Sequence, residues 1–230
     1  MPRDIELVKQ ELESSTTSIF ITKWILEHTP YVFEDYETEY ISWRHEIAEK
    51  LRIDARDIII TGSASLGFSL NPNKNFKSFD KKSDIDISII SHHYFDVAWH
   101  DLIHLSPAGI SPKMKTALED HRKRLIYWGT VATDKILPLL SFGGEWDRII
   151  KTCQLPEPLV DHEINFRIYK DALSIRNYIA LSVNERKHAV KAKLFCPEIA
   201  GLFCRIAGLF CHDSRANLSL KPVCFGIAIS

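Results

Sequence analysis

The chain has 230 residues, a formal net charge of −1, 26% charged residues and 45% hydrophobic residues. This composition is typical of a globular protein with one domain, or with a core domain and a helical appendage. The near-neutral charge argues against a dedicated nucleic-acid coat protein or a membrane-surface binder. The sequence has no apolar run of the roughly 18 residues that a membrane span requires, and its N-terminus is too charged for a secretory signal, so the expected location is the cytoplasm.

Two helices are predicted at the start of the chain, where residues 1–52 form the first of three expected segments. The first helix spans residues 6–28 and ends before Pro30, because proline cannot continue a helix. The second helix spans residues 36–51, and its apolar side chains recur at helical spacing: Tyr40, Trp43, Ile47 and Leu51. We interpret these positions as core packing that braces the back of a sheet.

The stretch Asp57–Ser91 contains the strongest functional signals. Its apolar run at residues 58–60 predicts a strand that is buried on both faces, and the run ends at Gly62-Ser63. Glycine allows a tight turn after a strand, and Ser63 is expected to cap the helix that begins there. Free N–H groups at such a helix start attract phosphate.

A second strand is predicted to begin with two carboxylates, Asp84 and Asp86, which alternate with isoleucines. Because side chains alternate along a strand, both acids point to the same face. Neighbouring carboxylates repel each other unless a cation lies between them, and hard oxygen ligands favour Mg²⁺ or Mn²⁺. A phosphate-binding turn beside such a pair is the minimal apparatus for chemistry on a nucleoside triphosphate.

The pattern Gly62-Ser63-x-x-x-Gly67, followed by Ser83-Asp84-x-Asp86, resembles the nucleotidyltransferase superfamily typified by DNA polymerase beta. Within it, the residues look most similar to bacterial small adenylyltransferases and cyclic-oligonucleotide synthases. The resemblance covers residues 57–91. It implies an α+β fold in which a small mixed sheet is flanked by helices, with residues 53–190 as the catalytic core. It also implies a role in a bacterial antiviral defence or toxin–antitoxin system.

On this resemblance the chain is a metal-dependent enzyme that moves a nucleoside monophosphate to an acceptor hydroxyl and releases pyrophosphate. Asp84 and Asp86 would hold Mg²⁺ or Mn²⁺, while Gly62, Ser63 and Gly67 would bind the phosphates of the nucleotide, expected to be ATP. The acceptor stays open among a protein, an RNA, another nucleotide and a small molecule.

The loop between the two strands, residues 71–82, is rich in lysine, and Lys82 is its predicted phosphate contact. The alternative is a solvated loop anchored by its two phenylalanines, Phe76 and Phe79.

A third strand is predicted at residues 163–169. Its residues determine whether the site has a third carboxylate for catalysis. Members of the superfamily usually add a third carboxylate from a neighbouring strand, and Glu163 is the candidate for metal binding and catalysis, with Asp161 in reserve. If Asn165 or Arg167 occupies that place instead, metal binding rests on two aspartates. The alternative function is then an inactive nucleotide-binding or partner-binding module on the same fold.

Helices are predicted over four further stretches: residues 99–105, 115–137, 146–153 and 172–187. Within the second of them, the basic cluster Arg122-Lys123-Arg124 is interpreted as a solvated face, with contact to nucleotide or nucleic acid as the alternative.

The third segment, residues 191–230, is a cysteine-rich tail in which IAGLFC occurs twice. Two interpretations stay open: a truncated or replaced C-terminal portion, or a buried segment that contacts a protein partner. The chain has five cysteines and lacks a Cys-x-x-Cys pair, which favours free thiols over a zinc ribbon.

Overall fold

A computed structural model describes residues 4–106 and 108–195 of the chain. The fold is α+β, as predicted, with a four-stranded mixed sheet between helices. The described chain divides after Ala189, and the site described below lies in the part before that point. The predicted cysteine-rich tail lies outside the described residues, except for the end of the last helix.

The helices are, in chain order, α1 Ile5–Ser14, α2 Thr17–Ile21, α3 Glu37–Leu51, α4 Gly62–Leu66, α5 His92–His104, α6 Pro112–Asp120, α7 Thr133–Ile136, α8 Gly143–Thr152 and α9 Ala172–Phe195. Both α2 and α6 continue into a wider π turn, at Thr22–Leu26 and His121–Leu125 respectively. The strands are β1 Ile58–Thr61, β2 Ile85–Ile90, β3 Thr130–Ala132 and β4 Ile164–Tyr169. In the part of the chain that the structure describes, no helix combines the length and the apolar character needed to cross a membrane.

The strands lie in the order β1-β2-β4-β3. Strand β2 pairs antiparallel with β1 and parallel with β4, whereas β3 pairs antiparallel with β4. This register places Asp86 between Thr61 on one side and Asn165 on the other. The start of β2 therefore meets the end of β1 at one position in the sheet.

Two hydrophobic cores cover the two faces of the sheet. The isoleucines of β2 at 85, 87 and 89 pack with α3, α5 and α8 in one core. On the opposite face, α1, α2 and α9 form the second core with Ile59 and Tyr169. Because side chains alternate, Asp86 and Ser88 face this second group of helices. The alternation predicted for the second strand is thereby confirmed.

Side chains from the helices cover both edges of the sheet. On β1, the hydroxyl of Tyr40 hydrogen-bonds to the backbone of Ile60, and Arg44 donates to the carbonyl of Ile58 at 3.5 Å. On β3, the Ala132 N–H donates to Nε2 of the buried His121 at 3.0 Å. Burial lowers the pKa of His121, which keeps that nitrogen available as an acceptor.

Two of the predicted helices are interrupted in the structure. The helix predicted at residues 6–28 is interrupted at Ser15, and Thr16 begins α2 by accepting a hydrogen bond from the Ile19 N–H at 3.3 Å. The helix predicted at residues 115–137 contains β3. Gly129 ends its helical part with φ +65°, and a Cβ there would lie 2.4 Å from Ser174 Oγ, so glycine permits the turn into the sheet.

Candidate functional site

A pocket of about 300 Å³, here called the central pocket, lies where β1, β2, β4 and α9 meet. Among the predicted site residues, it brings together Gly62, Ser63, Asp84 and Asp86. The convergence predicted for the glycine turn and the paired carboxylates is therefore present. The remaining walls include Thr61, Ser69, Leu70, Asn71, Lys74, Ser88, Arg167, Tyr169, Tyr178, Ile179 and Ser182.

Gly62 lets the backbone turn lie directly against the Asp86 carboxylate. It has φ +69°, and a Cβ built there would be 2.8 Å from Asp86 Oδ2. Both the conformation and the close approach therefore require glycine. The structure corrects one expectation for this turn, because α4 begins at Gly62 with Thr61 in the cap position, and Ser63 lies inside the first turn without capping it.

The two aspartates differ in environment. Asp84 is exposed and precedes β2, whereas Asp86 is half-buried within it. Burial raises the pKa of Asp86, and the negative charge of Asp84 raises it further. Asp134 adds to this effect. Without a bound cation, ionising Asp86 is therefore less favourable than ionising an aspartate in water.

Two cations oppose this negative charge. Lys74 and Arg167 both line the central pocket, and both act to lower the pKa of Asp86. Arg167 is half-buried, donates a hydrogen bond to the Tyr178 hydroxyl, and lies with its guanidinium carbon 4.9 Å from the centre of that ring. Since a guanidinium carries five N–H donors, this bond leaves most of them for an anion in the pocket.

The place predicted for a third carboxylate is occupied by other residues. Asn165 lies beside Asp86 in the sheet and donates to Asp84 Oδ2 at 3.4 Å, while Arg167 lies beside Ser88. Glu163 precedes β4 with an exposed side chain outside the lining of the central pocket. Its backbone carbonyl accepts from the Ile85 N–H. The reserve candidate, Asp161, is also exposed and outside that lining.

Two other predicted phosphate contacts also lie outside the lining of the central pocket. Gly67 ends α4 with φ +84°, and a Cβ there would lie 2.6 Å from Ile5 Cδ1, so this glycine serves packing. Lys82 is exposed, in a turn where its N–H donates to Asp80. The lysine that reaches the pocket is Lys74, from the same loop.

Arg186 fixes the loop that carries Lys74. Its side chain is buried and donates to the carbonyls of Leu70 at 3.0 Å, Ser69 at 3.4 Å and Asn71. The guanidinium carbon lies 4.1 Å from the centre of the Phe76 ring. Within the described chain, no ion pair joins this arginine to a carboxylate. Its hydrogen bonds to backbone carbonyls therefore offset the cost of burying the charge. Helix α9 thereby holds one wall of the central pocket.

Substituting Arg186 is expected to release this loop. The change Arg186→Met keeps a long apolar chain but removes the donors, and we expect it to lower the free energy of unfolding by about 2–3 kcal/mol, because buried carbonyls lose their partners. Urea unfolding measures this loss. Trypsin should also cleave sooner at the lysines of residues 71–82, followed by mass spectrometry.

The exposed Arg56 provides the control, since Arg56→Met should change neither measurement. Equal stability and equal cleavage of Arg186→Met and the unmodified protein would contradict the role of Arg186.

The donor set of the central pocket fits a divalent cation that is bound both by carboxylates of the protein and by the phosphates of a substrate. In the described residues, no group of three or more His, Cys, Asp or Glu side chains is placed to hold a metal ion. Asp84, directly before β2, and Asp86, within it, both offer carboxylate oxygens to the central pocket. This suits Mg²⁺, which is commonly bound by one or two carboxylates together with waters and the phosphates of a substrate.

Sequence reasoning missed Tyr178 on α9, and it considered Arg167 on β4 only as a residue that could occupy the place of the third carboxylate. Arg167 stands on the polar face of a predicted strand, and that position was its one signal. Tyr178 lies on α9, where an aromatic residue is typical of a core position. Its part in the pocket depends on how α9 crosses the sheet.

Comparison of the chain with protein families, with curated proteins and with solved structures finds no match.

Proposed function

We propose that the central pocket binds a nucleoside triphosphate together with a divalent cation, and that the chain transfers the nucleoside monophosphate to an acceptor hydroxyl. The observation that carries this proposal is the pairing of charges in one pocket. Asp84 and Asp86 stand beside a glycine turn, and Lys74 and Arg167 stand in the same walls. A magnesium polyphosphate carries both signs of charge and complements both pairs.

Each side chain has a defined part in this function. Asp84 and Asp86 would hold Mg²⁺, which when bound neutralises phosphate charge during phosphoryl transfer. Lys74 and Arg167 bind phosphate oxygens, and Arg167 can do so with two parallel hydrogen bonds. The acceptor oxygen forms a bond to the α-phosphorus as the bond to the β-phosphate bridging oxygen breaks, and pyrophosphate leaves. The hydroxyl proton passes to solvent or to a pocket carboxylate.

A second candidate function is nucleotide binding without transfer. The position of Asn165 and Arg167 favours it, because they stand where the resemblance leads one to expect a third carboxylate. A third acidic group commonly activates the attacking hydroxyl in metal-dependent transfer. Both functions share the same pocket and the same requirement for a cation.

One experiment tests the shared pocket and separates the two functions. Each labelled nucleoside triphosphate is incubated with Mg²⁺ or Mn²⁺, with protein, RNA and free nucleotide offered as acceptors, and binding and pyrophosphate release are measured. We expect cation-dependent binding that is lost in the double variant Asp84→Asn/Asp86→Asn. Pyrophosphate release lost in the same variant supports transfer, whereas binding without release supports the second function.

The control is Asp147→Asn, which removes an exposed carboxylate on α8 that pairs with Lys151. It should bind and react like the unmodified protein. Binding that is equal with and without a divalent cation, or equal in the double variant, would contradict both functions.

A further inference from the structure

A second, smaller cavity adjoins the central pocket and shares two of its walls. This side cleft has a volume of about 180 Å³ and is lined by Arg124, Leu125, Trp128, Tyr178, Leu181, Ser182 and Glu185. Tyr178 and Ser182 line both cavities. These two residues are one turn apart on α9, so they lie on the same face of the helix. The two cavities therefore share one wall on α9, and a ligand that follows this wall would reach both.

The lining of the side cleft suits a flat, apolar-faced group with a polar edge. Trp128 and Tyr178 contribute half-buried aromatic rings, and Leu125 and Leu181 contribute aliphatic surface. Ser182 and Glu185 supply hydrogen-bonding groups on the α9 side. Apolar walls with a few convergent polar groups are the usual lining of a small-molecule site.

The charges of the two cavities differ in a way that orients the ligand. In the central pocket, Lys74 and Arg167 face the phosphate-binding region. In the side cleft, Arg124 is the one cation among the described lining residues, and it is engaged with Asp120 through two hydrogen bonds of 3.1 and 3.0 Å. Glu185 adds a negative charge. A polyphosphate therefore belongs in the central pocket, and an uncharged group belongs in the side cleft.

We propose that the side cleft receives the nucleobase of the bound nucleotide, stacked on Trp128 and flanked by Tyr178. This inference rests on the proposed function, because it extends the ligand of the central pocket. It assigns Trp128 to substrate binding and predicts that the chain distinguishes a nucleotide from a bare polyphosphate. Ser182 and Glu185 lie where they meet the edge of the base, so they are the residues expected to select among bases.

The test compares MgATP with the magnesium complex of inorganic tripolyphosphate, which has the phosphates but no base. Calorimetry gives the Kd of each for the unmodified chain and for Trp128→Ala. We expect the variant to bind ATP about tenfold or more weakly, which is the range for loss of one base–aromatic stack, and to bind tripolyphosphate within about twofold of the unmodified chain. Trp128→Phe should restore most of the affinity for ATP.

Trp99→Ala is the matched control, since Trp99 is also a tryptophan, is 44% exposed and lies outside the side cleft. It should leave both ligands unaffected. Unchanged ATP binding by Trp128→Ala, or equal weakening of both ligands, would overturn the inference while leaving the proposed function intact. Failure of the unmodified chain to bind either ligand would overturn both.

Discussion

Replacing Asp86 by asparagine is expected to weaken cation-dependent nucleotide binding and, at pH 8, to stabilise the free protein. The loss of binding should be about 10- to 100-fold, because the cation loses a charged ligand. The gain in stability follows from burial, since Asp86 is half-buried beside Asp84 and its pKa is raised. We expect the unfolding temperature to rise by about 2–4 °C, a shift that about 1 kcal/mol gives a domain of this size.

The sign of the pH dependence can be tested separately. Because the pKa of Asp86 is higher in the folded than in the unfolded state, its stabilising contribution is present below the unfolded pKa and is lost as the pH rises through the folded pKa. The difference in unfolding temperature between Asp86→Asn and the unmodified chain should therefore grow from acidic to neutral pH. Thermal unfolding across this range measures it.

The same variant supplies the outcomes that would contradict this account. Mg²⁺ with a nucleotide should raise the unfolding temperature of the unmodified chain more than that of Asp86→Asn, since a ligand that binds the folded state more weakly stabilises it less. The exposed Asp147 again provides the control through Asp147→Asn. An Asp86→Asn protein that unfolds at a lower temperature at every pH would show that the carboxylate stabilises the free fold.

Replacing Gly62 by alanine is expected to impair both folding and binding. A residue with a Cβ at φ +69° is strained by about 1–2 kcal/mol. The new methyl group would also lie 2.8 Å from Asp86 Oδ2, so the carboxylate must move away from the turn. We expect the free energy of unfolding to fall by about 1–3 kcal/mol and the affinity for MgATP to fall at least about tenfold.

Gly109→Ala separates the two effects of this substitution. Gly109 has φ +84°, yet a Cβ there meets no atom within 4 Å. The control should therefore show the loss of stability from backbone strain and bind MgATP normally. Normal binding by Gly62→Ala would mean that the close approach of Gly62 to Asp86 does not hold the carboxylate for a cation.

The local parts of the site could be predicted from the sequence, whereas the parts that depend on strand pairing could not. Alternation from Asp84, directly before β2, to Asp86 within it places both acids on one face, and the glycine after β1 marks the turn beside them. Arg167 lies beside Ser88, on the same face of the sheet as Asp86, because β2 and β4 pair in parallel in one register, which the residues of β4 alone do not reveal. Strand β3 has three residues and continues a helical pattern, so its pairing with β4 overrides the local signal.

In the lysine-rich loop, residues 71–82, the sequence also does not show which side chain reaches the central pocket. Four lysines at residues 71–82 are equivalent by composition, and Lys82 stands closest in sequence to the aspartates. The structure brings Lys74 into the central pocket instead. The start of this loop is held by Arg186, which is far along the chain and donates hydrogen bonds to the carbonyls of residues 69–71. A contact of this sequence separation leaves no periodic pattern for sequence reasoning to detect.

The covered edges of the sheet have a consequence for how copies of this chain meet. An open edge strand offers unpaired backbone groups to the strands of another molecule and so promotes aggregation. Here Tyr40 and Arg44 form hydrogen bonds with backbone groups of β1, and His121 accepts a hydrogen bond from the Ala132 N–H of β3. Protonating His121 in acid would remove the acceptor for that N–H, and β3 would then be the edge at which intermolecular pairing begins.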